Sequence, residues 1–178
     1  MANHAVFFDR DGTLIIDKHY ISKPEDVELL PGVTENLLKL QKAGFQLFIV
    51  SNQSGIGRGF FTEDQMHEVN DRMLSLMPGV KFTWMYFCPD TPENPQSNSR
   101  KPSPKFLFQA EQNFLVNLKK SWFVGDKDID VLCGINGGCQ SILLDGKYSS
   151  EAHKALQGKK YSTVKTIAEA AAIILKGV

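Results

Sequence analysis

Short apolar runs alternate along the chain with longer stretches of helical periodicity. Five runs have the length and composition of buried strands, and they cover residues 5–8, 46–50, 82–87, 121–124 and 141–144. Between them, apolar side chains recur at three- and four-residue spacing, as Val33, Leu37 and Leu40 do before Gly44. Strands that alternate with helices indicate a parallel sheet with right-handed crossovers. We therefore predict an α/β protein with a Rossmann-like parallel sheet and helices on both faces.

Capping signatures mark the starts of three predicted helices: Thr62-x-x-Gln65, Thr166-x-x-Glu169, and Ser103 as N-cap with Pro104 at the first helical position. The helix after Thr62 has an apolar face rich in methionine, which we interpret as core. Two segments have no such periodicity. Residues 14–33 are predicted to form a loop with a small hairpin or flap, and residues 88–104 contain five prolines and cannot form regular structure.

Length and composition limit the classes of protein to consider. The 178 residues, 42% of them hydrophobic, suit one domain covering residues 1–178. Twenty basic residues balance twenty acidic ones without a block of like charge, which argues against nucleic-acid or membrane-surface partners and favours a small molecule. Cys88, Cys133 and Cys139 have no C-x-x-C spacing, so we expect reduced thiols. With no signal peptide or membrane-length run, we expect a soluble, cytoplasmic protein. Because the chain has no room for a large cap, we expect an open site formed by residues 14–33 and 88–100, on a monomer.

Two acids close the first apolar run, because Asp9 and Asp11 follow Phe8 directly and precede Gly12. The carboxyl ends of parallel strands lie where open α/β sheets bind ligands, so both acids are predicted at the mouth of a cleft. Carboxylates this close repel each other, and a bound Mg²⁺ would offset that repulsion with oxygen ligands. An acidic turn that merely ends a strand would have the same sequence pattern. The residues at the other strand ends must therefore decide between a functional site and an ordinary turn.

Polar signatures follow three further predicted strands: Ser51-Asn52, Arg100-Lys101-Pro102 and Gly125-Asp126-Lys127-Asp128. Each has an ordinary explanation alone, such as a solvated basic pair or acids at a helix N-terminus. In a parallel sheet, however, all these ends meet at one edge. Hydroxyl, amide and cationic groups converging there suit a phosphoryl group whose negative charge needs stabilisation.

Taken together, Asp9-x-Asp11-Gly12-Thr13 and these three signatures resemble the four motifs of the haloacid dehalogenase-like phosphohydrolases. The resemblance implies that Asp9 attacks phosphorus and forms an aspartyl-phosphate, while Asp11 is the general acid and base. It implies that Lys101 holds the nucleophile and that Asp9, Asp126 and the carbonyl of Asp11 bind Mg²⁺. Because the chain has no room for a large cap domain, we expect a minimal cap.

Nearly the whole chain resembles a narrower family, the heptose 1,7-bisphosphate phosphatases, through Asp9 to Thr13, Ser51 to Gly59, Phe61-Thr62, Arg100 to Pro102 and Gly125 to Lys127. The histidinol-phosphate phosphatases share much of this pattern. The resemblance implies a small sugar phosphate as substrate, D-glycero-D-manno-heptose 1,7-bisphosphate. It also implies substrate contacts from Asp17, Lys18, His19, Tyr20, Ser51, Asn52, Gln53, Ser54, Arg100, Lys101 and Lys127.

The loop after the third predicted strand departs from both families, whose members usually hold a structural zinc there through three cysteines and a histidine. Here Cys88 remains, Asp90 stands in place of the histidine, and residues 97–99 read Ser-Asn-Ser instead of offering cysteines. A lone thiolate cannot complete a tetrahedral zinc site. We therefore expect Mg²⁺ as cofactor and no structural zinc. Because this loop shapes the substrate pocket in the resembled families, its change should affect which substrate is bound and not the reaction itself.

Two other functions deserve comparison. The Gly-Ile-Gly-Arg-Gly run at 55–59 also resembles polynucleotide 3′-phosphatases, but the neutral overall charge disfavours nucleic acid. A catalytically silent phosphate-binding module is disfavoured because every catalytic motif is intact. The four histidines show no metal-ligand spacing. Only His19 is a candidate functional residue, because it lies in the predicted flap.

Overall fold

A computed structural model describes residues 3–177 of the chain, as one sheet with helices around it. Its strands are β1 (Ala5–Phe8), β2 (Gln46–Asn52), β3 (Trp84–Cys88), β4 (Trp122–Gly125), β5 (Gln140–Leu144) and β6 (Ser162–Val164). All neighbouring pairs are parallel, in the order β3-β2-β1-β4-β5-β6. The order reverses direction at β1 and β4, and in open α/β sheets such a switch point forms a ligand-binding crevice.

Seven helices flank the sheet in the described residues: α1 (Val33–Lys42), α2 (Ser54–Gly57), α3 (Glu63–Ser75), α4 (Lys105–Phe114), α5 (Asp128–Asn136), α6 (Ser149–Ala155) and α7 (Ile167–Lys176). Strand β1 is buried on both faces. Val6 and Phe8 pack into a core shared with α1, α3 and α7, whereas Ala5 and Phe7 pack into a core shared with α4 and α5. The predicted fold class is therefore confirmed. Burial of each large apolar side chain in these cores stabilises the folded state by about 1.5–3 kcal/mol.

Three elements were not predicted from the pattern, namely β6, α2 and α6. Strand β6 is a three-residue edge strand with sequence Ser-Thr-Val, too short and polar to form an apolar run. Helix α2 is a single turn of four residues, Ser-Gly-Ile-Gly, which is too short to show a helical period. Helix α6 buries one residue, Ala152, so its apolar period is weak.

Four of the five predicted strands, β2 to β5, and the start of α4 differ from the observed bounds by one or two residues. Strand β3 begins at Trp84 rather than at residue 82, because its ladder with β2 starts where Trp84 pairs with Phe48. Helix α4 begins at Lys105 with Pro104 at the N-cap position, one residue later than predicted. The hydroxyl of Ser103 instead donates to the carbonyl of Asn98 at 2.7 Å, which ties the helix start to the preceding loop.

Two segments overlie the carboxyl edge of the sheet and form the minimal cap. Residues 14–33, the flap, contain the predicted hairpin contact as an antiparallel bridge between Ile15 and Leu29. Ile15 and Ile21 are buried and anchor the flap to the core. Residues 89–104, the proline loop, follow β3 and lead back to α4.

Among the described residues, no helix combines the length and the apolar character that crossing a membrane requires. The predicted single domain spans residues 1–178, and of these residues 1, 2 and 178 lie outside the described part of the chain.

Candidate active site

Lys101 lies at the centre of the site, between two buried carboxylates. Its Nζ is 2.8 Å from Oδ1 of Asp9, at the end of β1, and 2.7 Å from Oδ1 of Asp130, in the first turn of α5. Burial opposes the charge of Lys101, but the attraction of Asp130 and Asp9 outweighs it and raises the lysine pKa above its ordinary value. The ammonium group therefore stays charged and offsets part of the repulsion between the two acids.

Asp130 was missing from the predicted site. It lies in the first turn of α5, four residues after Asp126, where we had considered only acids that favour a helix N-terminus. In the structure both oxygens of its carboxylate have a partner. Oδ2 accepts a hydrogen bond from the backbone N–H of Lys127 at 3.0 Å, and Oδ1 faces Nζ of Lys101. Asp130 is fully buried, so this ion pair is shielded from solvent.

Asp126 completes a group of three acids that fits a cation. One carboxylate oxygen from each of Asp9, Asp126 and Asp130 lies within 4.8 Å of the others. Burial, followed by repulsion from Asp130 and Asp9, raises the pKa of Asp126 to about 8. Its Oδ1 is buried and has no hydrogen-bond partner among the described residues. Clustered carboxylates with an unsatisfied oxygen suit a hard cation such as Mg²⁺, so these residues fit the predicted metal.

Burial also raises the pKa of Asp9, while the charge of Lys101 acts against that rise. The backbone N–H of Asp9 donates to the carbonyl of Val124 at 3.0 Å, which fixes the acid at the junction of β1 and β4. The nucleophile predicted from the sequence thus lies at the switch point of the sheet, beside a cation and two further acids.

Arg10 holds the second predicted catalytic acid, Asp11. Its side chain is almost fully buried; Nε lies 3.1 Å from Oδ2 of Asp11 and Nη2 lies 3.2 Å from Oδ1. Asn70 in α3 accepts from Nη1 at 2.9 Å, and Gln53 accepts from Nη2 at 3.1 Å. Sequence reasoning missed Arg10, since an arginine between two acids gives no sign that it turns inward to α3.

Gln53 connects this network to the second motif. Its Nε2 donates to Oδ2 of Asp11 at 2.9 Å and to the hydroxyl of Ser51 at 2.6 Å. Asn52 is used differently: its Oδ1 accepts from the backbone N–H of Lys101 at 3.0 Å, and its Nδ2 donates to the Lys101 carbonyl at 3.3 Å. The second motif therefore positions parts of the first and third motifs.

Gly12 brings the first and fourth motifs into close contact. Its φ of +85° lies in the left-handed region, which residues with a side chain rarely adopt. A Cβ at this position would lie 2.3 Å from Oδ2 of Asp126. Only glycine leaves room for Asp126 to approach the turn after β1.

The proline loop replaces the zinc ligands of the resembled families with a hydrogen-bonded cluster. Oδ2 of Asp90 accepts from the backbone N–H of Ser97 at 2.7 Å and from its hydroxyl at 2.8 Å. Ser97 also contacts Ser99, and Cys88 Sγ lies 3.6 Å from the Ser97 hydroxyl. Nη1 of Arg100 donates to the Asp90 carbonyl at 2.8 Å, so this cluster positions a cation at the site. The absence of structural zinc stays a prediction.

A pocket of about 210 Å³ opens beside these residues, beneath the flap. It is lined by eight of the predicted substrate contacts: Asp17, His19, Tyr20, Asn52, Gln53, Ser54, Arg100 and Lys127. Three others do not line it. Lys18 pairs with Glu28 at 2.6 Å, and Ser51 and Lys101 are buried behind the pocket. Tyr148, from the loop after β5, also lines the pocket and was not predicted.

A second cavity, of about 290 Å³, lies on the far side of Arg10 against α3 and β3. Its lining is mostly apolar, and Asp11, Arg100 and Lys127 take no part in it. The smaller pocket is therefore the candidate substrate site, because it is the one that adjoins Asp11 and carries the cations Arg100 and Lys127.

The fold of this chain is shared with solved phosphatase structures. A crystal structure of a putative HAD-like phosphatase from Mesorhizobium loti is 29% identical, covers 99% of this chain and 88% of its own, and has a TM-score of 0.85. The D,D-heptose 1,7-bisphosphate phosphatase from B. bronchiseptica, solved with magnesium and phosphate, is 24% identical, with a TM-score of 0.87 over 98% of this chain and 99% of that one. These likenesses define the class as haloacid dehalogenase-like phosphatases.

The sequence comparisons narrow the class. The family model described as polynucleotide kinase 3 phosphatase matches residues 4–134. A Helicobacter pylori protein named D-glycero-beta-D-manno-heptose-1,7-bisphosphate 7-phosphatase is 37% identical over 145 residues, 80% of this chain and 83% of that protein. The chain belongs to the polynucleotide kinase 3 phosphatase family that this model describes, together with the heptose-1,7-bisphosphate 7-phosphatases. Both resemblances inferred from the sequence are confirmed.

Proposed function

We propose that this protein is a Mg²⁺-dependent phosphomonoesterase that removes the 7-phosphate from D-glycero-D-manno-heptose 1,7-bisphosphate. The observation that carries the proposal is the placement of Lys101 between Asp9 and Asp130, with Asp126 close by, at the switch point of the sheet. This arrangement supplies a nucleophile, a cation for the phosphoryl group and a set of oxygen ligands. The name of the 37% identical relative supports the substrate and the position of the phosphate.

In the first step, the Asp9 carboxylate attacks phosphorus, and a bond from Asp9 to phosphorus forms as the bond to the sugar oxygen breaks. Asp11 in its acid form gives its proton to that leaving oxygen. In the second step, Asp11 takes a proton from water while the water oxygen attacks phosphorus. The bond to Asp9 then breaks, which releases inorganic phosphate and restores both side chains.

Asp11 must be released to perform these transfers. Arg10 and Gln53 occupy both oxygens of its carboxylate in the structure, so it exchanges at least one of these bonds when it approaches the leaving oxygen. Asp9, Asp126 and the carbonyl of Asp11 would hold Mg²⁺. Bound there, the ion supplies positive charge that offsets the repulsion between the Asp9 carboxylate and the phosphate dianion.

The pocket beneath the flap would hold the sugar. Arg100 and Lys127 offer cations for anionic groups, and Asp17 offers a carboxylate for hydroxyl groups. The side chains of His19, Tyr20 and Ser54 line the same pocket, and we propose them as further contacts. The three cysteines are free and buried, which fits the reducing cytoplasm.

A second candidate substrate is a 3′-phosphorylated nucleic acid. The family model supports it, and so does an exposed aromatic pair at the mouth of the pocket: the Tyr20 and Phe60 rings are 4.9 Å apart, with 46% and 61% of their surfaces exposed. Exposed aromatic rings can stack on bases. The chain has no net charge, however, whereas nucleic-acid-binding domains are usually basic, so the sugar phosphate is favoured.

The proposal is tested by measuring phosphate release with Mg²⁺ from four esters: heptose 1,7-bisphosphate, histidinol phosphate, a 3′-phosphorylated oligonucleotide and p-nitrophenyl phosphate. We expect the highest kcat/KM for the heptose bisphosphate, loss of its 7-phosphate by ³¹P NMR, and inhibition by EDTA. A clear preference for the oligonucleotide or for histidinol phosphate would overturn the substrate assignment. Release from no ester of a broader panel would favour a silent phosphate-binding module.

A further inference from the structure

Tyr148 lies at the end of a strand to which the sequence assigns no function. It follows β5 in the short segment 145–148, at the same edge of the sheet as Asp9 and Asp126. Its side chain is half-buried and forms part of the wall of the 210 Å³ pocket, together with Asp17, Arg100 and Lys127. Each of those three neighbours is already a proposed substrate contact, whereas Tyr148 has no role in the chemistry described above.

The hydroxyl of Tyr148 joins the flap to the sheet edge. Its Oη lies 3.3 Å from Oδ2 of Asp17, and Nζ of Lys127 lies 3.5 Å from the same oxygen. The other oxygen of Asp17 accepts from the backbone N–H of His19 at 2.9 Å. Tyr148 thereby connects three separate segments: the flap, the loop after β4 and the loop after β5.

The ring of Tyr148 also contacts cations. Nζ of Lys127 lies 4.8 Å from the ring centroid, and Nζ of Lys147 lies 5.2 Å from it. An ammonium group at this distance is attracted by the electrons of the ring face. The position of Lys127 is therefore set by two parts of one tyrosine, the ring directly and the hydroxyl through Asp17.

We propose that Tyr148 determines specificity for a hydroxyl-bearing leaving group, by contacting that group and by positioning Asp17 and Lys127 against it. This inference rests on the proposed function, because it takes the leaving group to be a sugar. A tyrosine hydroxyl has one donor and two acceptor sites. With its donor directed to Asp17, it presents acceptor sites to a sugar hydroxyl within the pocket.

The effect falls on substrate binding rather than on bond breaking. Within residues 3–177, the hydrogen bond and the cation–π contacts of the Tyr148 side chain go to Asp17, Lys127 and Lys147, and not to Asp9, Asp11 or Lys101. A change at Tyr148 should therefore alter KM for substrates that fill the pocket. The loss should be smaller for an ester whose leaving group is too small to reach the pocket wall.

The test compares Tyr148→Phe and Tyr148→Leu on two substrates, heptose 1,7-bisphosphate and acetyl phosphate. Tyr148→Phe keeps the ring over Lys127 and removes the hydroxyl; we expect KM for the sugar to rise about 2- to 10-fold, the range for loss of one neutral hydrogen bond, at unchanged kcat. Tyr148→Leu removes both contacts and should raise KM further, by about tenfold or more. The kcat/KM for acetyl phosphate should fall less than that for the sugar in both variants.

Tyr161→Phe is the matched control. Its hydroxyl lies 2.7 Å from Nδ1 of His153, in a partly exposed pair that does not line the pocket. Removal of this hydroxyl should change KM and kcat for neither substrate. Equal losses on both substrates in the Tyr148 variants would show a merely structural role and overturn the inference. So would an unchanged KM for the sugar in both.

The two proposals can fail separately. If the wild-type protein prefers another ester over the sugar, the proposed function fails, and the same comparison of that ester with acetyl phosphate decides the role of Tyr148. If Tyr148→Leu does not fold, Tyr148→Phe still decides, because it preserves the ring and its packing. A thermal melt of each variant establishes which case applies.

Discussion

Nζ of Lys101 lies 2.8 Å from Oδ1 of Asp9, and this ion pair is shut off from solvent, with 1% and 7% of the two side chains exposed. The pair places a permanent cation beside the carboxylate that we propose as nucleophile. The same lysine pairs with Asp130 on its other side. One cation thus serves the chemistry and the stability of the site together, and substitutions can separate the two contributions.

Asp9→Asn should abolish turnover while the fold is retained, because the amide has nearly the same shape but cannot attack phosphorus. Phosphate release should fall by about three orders of magnitude or more, equivalent to roughly 4 kcal/mol in the barrier. Asp71→Asn, at an exposed position of α3, controls for loss of one negative charge. A variant at position 9 with a tenth of the wild-type rate would rule out the covalent mechanism, since that loss is only about 1.4 kcal/mol.

Lys101→Met should impair both activity and stability. It leaves Asp9 and Asp130 buried without their cation, and breaking a buried ion pair in this way costs about 3–5 kcal/mol. Urea unfolding of the metal-free protein measures the loss, and Lys42→Met, at an exposed position in α1, is the control.

The double variant Lys101→Met/Asp130→Asn sharpens the test on Lys101. Removing the second charge should return part of the lost stability, so that the two effects are less than additive. Strict additivity in urea unfolding would mean that Lys101 and Asp130 do not interact in solution.

Asp90→Asn should destabilise the protein at neutral pH, and the destabilisation should fade in acid. Hydrogen bonds from the backbone and hydroxyl of Ser97 hold the pKa of Asp90 below its ordinary value of 3.8. A carboxylate with a lowered folded-state pKa contributes stability that is present above its unfolded-state pKa and lost as pH falls through the folded-state value. Unfolding at about pH 7 and about pH 3 should therefore show a gap between wild type and variant that narrows in acid. An equal difference in stability between wild type and variant at both pH values would mean that the shape of the side chain, and not its charge, causes the destabilisation.

Protein purified without added metal should contain zinc well below one equivalent by elemental analysis. Around Cys88, the proline loop offers hydrogen-bonded hydroxyls where a closed zinc site needs thiolates or imidazoles. Chelation should remove activity, and Mg²⁺ alone should restore it. Stoichiometric zinc, lost on substitution of Cys88, would show that this interpretation of the loop is mistaken.

The sheet and the main acids could be predicted because their signals are local. The apolar run before Asp9 and the one before Asp126 each identify a buried strand, and a parallel sheet brings their ends together. The capping box of Thr62 and Gln65 also needs only four residues of sequence, and both its hydrogen bonds are present in the structure. Such features depend on neighbours in the chain.

The missed residues depend on partners far away in the chain. Arg10 is a site residue because Asn70, sixty positions later, accepts its hydrogen bond. Tyr148 reaches Asp17 across 131 positions, and no pattern within segment 145–148 indicates that contact. Asp130 belongs to the site only because Lys101 turns towards it. Contacts of this kind are set by tertiary packing, which periodicity and capping rules do not describe.

The contact between Gly12 and Asp126 has a consequence for how this protein can diverge. A side chain at position 12 would collide with the carboxylate at position 126, although the two positions lie 114 apart in the sequence. Position 12 can therefore gain a side chain only after position 126 has lost its carboxylate, and with it a candidate metal ligand. Selection that keeps the acid at position 126 thereby also keeps glycine at position 12.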